Sequence, residues 1–335
     1  MSPLHPETWL RPTSRGLYCE PGDFFVDPTQ PVDRAVVTHG HGDHARPGNR
    51  HVLATPETVE IMRLRYAEAA GSLQPARYGE TVTLGPVAVT LVPAGHVLGS
   101  AQAVLDYRGS RAVVSGDYKR RRDPTCPPFE PQRCDLFVSE ATFGLPVFRH
   151  PPDRHEIDRL LHSQRLYPER CQLVGVYPLG KCQRLVRLLR EAGYDRPLYL
   201  HGALFALCEL YERFGVALGP LLPATGAAKS ELAGEIVLAP PGAAADRWSR
   251  RLPDPVAALA SGWMRVKQRA KAARVELPLV VSDHADWDEL TATIAEVGAP
   301  ELWVTHGREE ALVRYAAGIG LSARALALAG YDDEE

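Results

Sequence analysis

Thr38-His39-Gly40-His41-Gly42-Asp43-His44 places three imidazoles and a carboxylate within six residues. Imidazole nitrogens and carboxylate oxygens are the donors that hold a divalent cation such as Zn2+. Without a cation, groups crowded into one loop would repel one another or be left unsatisfied. Gly40 and Gly42 permit the tight turn that aims the four side chains at one point. Candidate further donors follow: His96 in Gly95-His96-Val97-Leu98-Gly99-Ser100, which alone could equally be a core or surface histidine, Asp117 after Ser115-Gly116, which alone reads as a turn residue, and His306 between Thr305 and Gly307. Asp117 has two oxygens and a full negative charge, which suits a bridge between two ions. Paired divalent ions lower the pKa of a shared water from about 15.7 toward roughly 7, so the chemistry expected is hydrolysis.

For these residues to meet, the segments before them must be strands whose ends lie together. Asp23 to Pro28 reads as a short apolar strand stopped by proline, and Arg34 to Thr38 as a β-branched strand running into the histidine loop. A helical stretch is expected near Thr55 to Glu68. Val82–Leu84 and Val87–Val92 pair across Gly85-Pro86, and Ala101–Leu105 and Arg111–Ser115 form the next hairpin. From about Pro151 the pattern changes to alternating short strands and helices, including Leu173–Tyr177, Cys182–Glu191 and Pro197–Leu200, which implies a parallel α/β unit. The last part returns to strands at Leu277–Val281 and Leu302–Thr305, closed by Ala-rich helices and the acidic Asp332 to Glu335.

The bulk properties are those of an ordinary soluble chain of one large or two interleaved domains: 335 residues, 45% hydrophobic, net charge −3. That balance excludes a uniformly basic coat, so nucleic acid would be met by a local basic groove or through metal. The six cysteines show no CxxC spacing and read as free thiols. No stretch approaches the roughly 18 apolar residues needed to span a bilayer, and the polar, Pro-containing start carries no signal-peptide pattern. A cytoplasmic protein without membrane contact is expected.

The order of these elements resembles the β-CASP branch of the metallo-β-lactamase nucleases. Ser139-Glu140-Ala141-Thr142-Phe143-Gly144 is similar to the acidic motif of that branch, Val281-Ser282-Asp283-His284-Ala285-Asp286 to its second motif, and His306 to its third. Gly16-Leu17-Tyr18-Cys19-Glu20, Pro31-Val32-Asp33-Arg34, His44-Ala45-Arg46-Pro47-Gly48, Phe143 to Val147 and Ser282 to Trp287 narrow the resemblance to the bacterial ligase-associated DNA exonuclease family. Gly42 departs from it, standing where alanine is common.

The resemblance implies an α/β fold, an αββα metallo-β-lactamase sandwich with an inserted α/β β-CASP domain. The sandwich would occupy residues 1–145 and 282–335, and the insert 146–281. One ion would be held by His39, His41, His96 and Asp117, the other by Asp43, His44, Asp117 and His306, with Zn2+ the first choice and Mn2+ the second. Asp27 would orient a ligand histidine, and His284, steered by Glu140, would act as general acid. The implied activity is a metal-dependent DNA exonuclease in DNA repair, associated with an ATP-dependent DNA ligase and a helicase. An RNA-processing ribonuclease is the alternative. A small-molecule metallohydrolase would share the His39 loop but leaves Glu140, His284 and the long insert without a role.

Backbone phosphates would be met by Lys119 and Arg120, just after Asp117, and by Arg265, Lys267 and Arg269, which continue through Lys271 and Arg274 without an acidic interruption. Lys181, after Gly180 at a helix start, would meet a terminal phosphate.

Overall fold

The computed structural model describes residues 4–326; the acidic Asp332 to Glu335 lies outside the described residues. The chain divides into two compact units, one built from residues up to Phe148 and from His284 onward, the other from Arg149–Asp283.

In the first unit, β1 (Leu10–Thr13), β2 (Gly16–Cys19), β3 (Phe24–Val26), β4 (Arg34–Val36), β5 (His51–Ala54) and β6 (Ser72–Pro75) form a six-stranded sheet in chain order, with α1 (Pro56–Tyr66) between β5 and β6. The sheet is antiparallel from β1 to β3 and parallel from β3 to β6. α1 starts where Thr55 accepts a hydrogen bond from the Thr58 amide and Pro56 fills a position that needs no N–H.

The second sheet of this unit begins with β7 (Thr81–Leu84), β8 (Val87–Pro93), β9 (Ala101–Tyr107), β10 (Ser110–Val114) and β11 (Leu136–Ala141).

The chain then builds the second unit from α2 (Asp153–Leu166), β12 (Gln172–Gly175), α3 (Lys181–Glu191), β13 (Leu198–Leu200), α4 (Phe205–Arg213), β14 (Leu221–Pro223), α5 (Lys229–Leu232), β15 (Ile236–Ala239), β16 (Val256–Ala260), α6 (Lys267–Ala272) and β17 (Leu277–Leu279). Its strands pair in parallel in the order β14-β13-β15-β12-β16-β17. This is the α/β unit expected from alternating strands and helices.

The first unit closes with α7 (Trp287–Val297), β18 (Glu301–Gly307), α8 (Glu309–Gly318) and β19 (Ser322–Ala325), giving the second sheet the order β19-β18-β11-β10-β9-β8-β7. Leu17, Phe24, Val36 and Leu53 of the first sheet pack against Val89, Leu91, Val138 and Trp303 of the second. Val59 and Met62 of α1 cover the outer face of the first sheet. Leu290 and Ile294 of α7 and Leu312 and Ala316 of α8 cover Val113 and Phe137 on the other side. The four layers are therefore helix, sheet, sheet, helix, the αββα sandwich.

Several strands were not read from the sequence, among them β1, β2, β5, β6, β14, β15 and β16, and two further elements depart for a clear physical reason. β11 was not foreseen as a strand: all six of its residues are buried and it is flanked by strands on both sides, so the alternation that marks a half-exposed strand is missing. β19 pairs in parallel with β18 where Ala-rich helix was expected, and the ladder satisfies its backbone at the sheet edge. Among the described residues no helix is long and apolar enough to cross a membrane, and the six cysteines are free thiols.

Candidate metal centre

β3, β4, β8, β10, β11 and β18 deliver the site from the loops or residues at their C-terminal ends. Asp27 follows β3 directly, and the Thr38–His44 loop follows β4. His96 follows β8, Asp117 follows β10, Glu140 lies near the end of β11, and His306 lies near the end of β18. Close backbone approach shapes two of these turns. A Cβ on Gly116 (φ 56°) would lie 2.6 Å from the Thr38 hydroxyl, and one on Gly307 (φ 112°) 2.3 Å from the Ala141 carbonyl oxygen. Neither position admits a side chain without movement of its neighbour.

Asp117 is the centre of the cluster. Its Oδ2 lies 3.4 Å from His39 Nε2, 3.3 Å from His44 Nε2, 3.9 Å from His96 Nε2 and 4.0 Å from His284 Nδ1. His41 Nδ1 approaches His96 Nε2 to 3.1 Å, and Asp43 Oδ2 is 3.4 Å from His44 Nε2. The His306 ring stacks on that of His44 at 4.7 Å. The structure thus brings together His39, His41, His96 and Asp117 in one group. His39, Asp43 and His44 form a second, His44, Asp117 and His306 a third, and Asp117, Glu140 and His284 a fourth.

Asp27, at φ 43°, anchors the loop from beneath. It accepts hydrogen bonds from the Thr38 amide (2.8 Å) and hydroxyl (2.6 Å), and its Oδ2 lies 2.8 Å from His44 Nδ1. The Thr38 oxygen in turn lies 3.1 Å from His39 Nδ1. Both rings are held by Nδ1, which directs Nε2 into the cluster. Thr38 was not foreseen as part of the site, although its place directly before His39 is the signal that would have found it. We expect Asp27→Ala to weaken divalent-ion binding by about 10- to 100-fold, measured by competition with a chromogenic chelator. Affinity equal to that of the parent protein would rule out the orienting role.

Burial, with His44 beside it, pushes His39 well below the ordinary histidine range, and the same two causes bring His306 down to about 4. Both therefore favour the neutral form that ligates metal. Burial also disfavours charge on His44, but Asp117, Asp43 and Asp27 outweigh it and hold that ring well above the ordinary range. Burial would raise Asp117, yet His44 and His284 hold it well below. The site is a field of converging carboxylates that demands positive charge at its centre.

The donor set fits a divalent cation. His39 Nε2, Asp43 Oδ1 and Asp117 Oδ1 are buried and make no hydrogen bond among the described residues, an arrangement that is costly unless a cation satisfies them. Neutral imidazoles and carboxylates without thiolate are suited to Zn2+ or Mn2+.

His284 and Glu140 lie beside this cage. Glu140 Oε2 is 3.0 Å from His284 Nδ1, while Glu140 Oε1 accepts from the Tyr118 amide at 2.7 Å. Burial raises Glu140 above the usual carboxylate range, and His284 pulls it back. The Phe143 ring meets His284 edge-on at 6.2 Å.

Two expected nucleic-acid contacts, Lys119 and Lys181, are corrected, and Arg120 is partly exposed. Lys119 is 1% exposed, donating to the His284 carbonyl at 2.9 Å and pairing with Glu289 at 3.2 Å. It braces the His284 backbone and presents no charge to a phosphate chain. Arg120 bonds Thr293 and Glu296 of α7 with its guanidinium over Phe129. In the second unit Lys181 has no exposed surface and pairs with Asp283 at 3.3 Å, so a phosphate would have to displace a buried ion pair. By contrast Arg265, Lys267 and Arg269 are exposed, and Arg269 lies 3.7 Å over the Trp263 ring.

The Lys119 pairing carries a pH dependence. Burial alone would raise Glu289, but Lys119, the Asp286 amide and Arg121 outweigh it and hold it at about 2. The folded value is thus depressed below the ordinary value of about 4.3. Its stabilisation is fully present above that value and is lost as pH falls from about 4 toward 2, amounting to about 2–3 kcal/mol. Glu289→Gln is expected to lower stability near neutral pH and to flatten this acid loss, as measured by urea unfolding at pH 6 and pH 3. Parallel curves for the two proteins would refute it.

No family model matches the chain. A probable DNA ligase of Opitutus terrae is 29% identical over 305 residues, covering 89% of this chain and 29% of that protein. A ribonuclease of Thermus thermophilus is 30% identical over 202 residues, covering 52% of this chain and 46% of that protein. Subunit 3 of the cleavage and polyadenylation specificity factor of Dictyostelium discoideum is 31% identical over 134 residues, covering 38% of this chain and 17% of that protein. The chain spans less than half the length of these relatives. The crystal structure of a protein of unknown function from Enterococcus faecalis matches with a TM-score of 0.61 at 15% identity, over 89% of this chain and 80% of that one, a likeness in fold.

Proposed function

We propose that this chain is a metal-dependent nuclease of the metallo-β-lactamase and β-CASP class, and within it a DNA exonuclease working in cytoplasmic DNA repair. The observation that carries the reading is the His284–Glu140 pair, 3.0 Å apart, set against the Asp117-centred cage. A cage alone suits any hydrolysis; a carboxylate-steered histidine beside it suits an oxygen leaving group that needs a proton.

One ion would be held by His39, His41, His96 and Asp117, and the other by Asp43, His44, Asp117 and His306, Zn2+ being the first choice and Mn2+ the second. Divalent ions, if held there, would supply an acidified water and positive charge to offset that of the phosphoryl group. The protein's own contribution is positional. Asp27 and Thr38 fix the rings of His44 and His39, and Glu140 holds His284 by Nδ1, leaving Nε2 as the atom to give its proton to the leaving 3′ oxygen. Arg265, Lys267 and Arg269 would follow the phosphate backbone.

Likeness over most of the chain to a protein named a probable DNA ligase supports DNA as substrate and an association with a DNA ligase; that the ligase is ATP-dependent and that a helicase joins it are implied by the family resemblance alone. Likeness to a ribonuclease at 30% identity favours RNA as a second reading. End-labelled DNA and RNA oligonucleotides of matched sequence, incubated with Zn2+ or Mn2+, test both. Mononucleotides released progressively from DNA are expected. Internal cuts in RNA with DNA intact would establish the second reading, and no cleavage of either would end the proposal.

A further inference from the structure

The first unit carries a solvent-open cavity of mixed lining, at the opposite ends of the parallel strands from the metal-binding loops. Arg34, His51 and Ser72 are the first residues of β4, β5 and β6, and they stand directly beside one another in register. Gln74, two residues beyond Ser72, lies on the same face. Together with Leu53 and, from the second sheet, Leu84, they line a solvent-open cavity of about 240 Å3. Leu53 belongs to the core between the sheets, so this row forms the rim of that core.

We propose that this cavity is a binding site for a small oxyanion, a phosphate or carboxylate group. Four side chains able to donate converge there, and no aspartate or glutamate is among the lining residues. The side chains of His51, Ser72 and Gln74 make no hydrogen bond among the described residues. Arg34 makes none either: its nearest carboxylate, Asp33, lies 3.9 Å from Nε and is shared with Arg50 at 3.5 Å. Adjacent strands stand about 4.8 Å apart, so Arg34 and Ser72 lie about 10 Å apart on either side of His51, a span that the long arginine side chain can cross to meet an oxyanion shared with the imidazole and hydroxyl groups. A divalent cation would find no carboxylate among the lining residues, since Asp33 lies outside them and already faces Arg34 and Arg50, and a purely apolar ligand would cover four polar groups without partnering them. The volume is several times the roughly 30 Å3 share of one water, which leaves room for a substituent on the anion.

The test titrates inorganic phosphate into the metal-loaded protein at constant ionic strength, following the imidazole NMR signals. The His51 signal is assigned by its loss in His51→Gln. A saturable shift of that signal is expected, with Arg34→Ala weakening the affinity by roughly tenfold or more and Gln74→Ala by less. Acetate titrated in parallel separates a carboxylate from a phosphate preference. Phosphate reaching the metal centre is read on the other imidazoles, so the outcome does not depend on the nuclease reading. A His51 signal that only drifts linearly with both anions, or that saturates equally in Arg34→Ala, overturns the site. All three variants change exposed side chains, and unchanged thermal unfolding identifies a folded protein.

Discussion

Asp117→Ala is expected to leave fewer than two divalent ions per chain and to lower phosphodiester hydrolysis by about 10³-fold or more. The reason is geometric. Asp117 Oδ2 is within 4.0 Å of four imidazoles, those of His39, His44, His96 and His284, and it joins groups that otherwise share little. Its removal also takes away the largest of the carboxylate influences that favour charge on buried His44, leaving Asp43 and Asp27. Asp117→Asn keeps the shape and one oxygen but loses the charge, so it separates bridging charge from packing. Elemental analysis after dialysis, beside the initial rate on a labelled oligonucleotide, gives both readings. A folded alanine variant that keeps two ions and its rate would remove Asp117 from the centre of the site.

The second large effect belongs to His284. His284→Ala is expected to cut kcat by about 10²–10⁴-fold while the metal content stays at the parent level. His284 forms, with Asp117 and Glu140, a group whose donor atoms lie near enough together to hold an ion, so the structure permits a ligand role as well as an acid role. The metal assay separates the two: a variant that loses an ion marks a ligand, and one that keeps its ions and loses turnover marks the acid. Glu140 is a positioning residue, since it acts through the imidazole it holds. In Glu140→Gln the alkaline limb of the kcat profile is expected to move to lower pH, because the carboxylate that favours the protonated ring is gone. A purely structural role for Glu140 would lower the rate without moving that limb.

Lys119 has a place in this prediction despite its distance from any substrate role. Its ammonium holds the His284 carbonyl and is itself fixed by Glu289 at the start of α7. The backbone that carries the proposed acid is thus braced by a buried ion pair, and breaking one partner of such a pair leaves an uncompensated charge.

How much of the site was legible in sequence depends on how local its residues are. The His39 loop could be read directly, because contiguous donors separated by glycines have few uses other than a cation. His96, Asp117 and His306 each follow an apolar strand, which made them candidates beside the His39 loop; their roles as ligands came from the family resemblance. β11 was hidden by the same burial that makes it central: with no polar face, its six residues carry no alternation. Thr38 escaped notice because a threonine ending a strand is ordinary until its hydroxyl is found between Asp27 and His39.

The basic residues show the opposite limit. Lys119, Arg120 and Lys181 read as available charge because their partners, Glu289, Glu296 and Asp283, lie far along the chain. By itself the sequence determined the donor types, several of the strand ends that carry them and the alternating α/β segment from about Pro151, since these follow from periodicity and short-range spacing; the layered sandwich was implied only by the family resemblance. Only the tertiary structure decided which charges face one another and which face water. That choice depends on distances of a few ångströms and on desolvation, and both are set by segments that meet only after the sheets have packed.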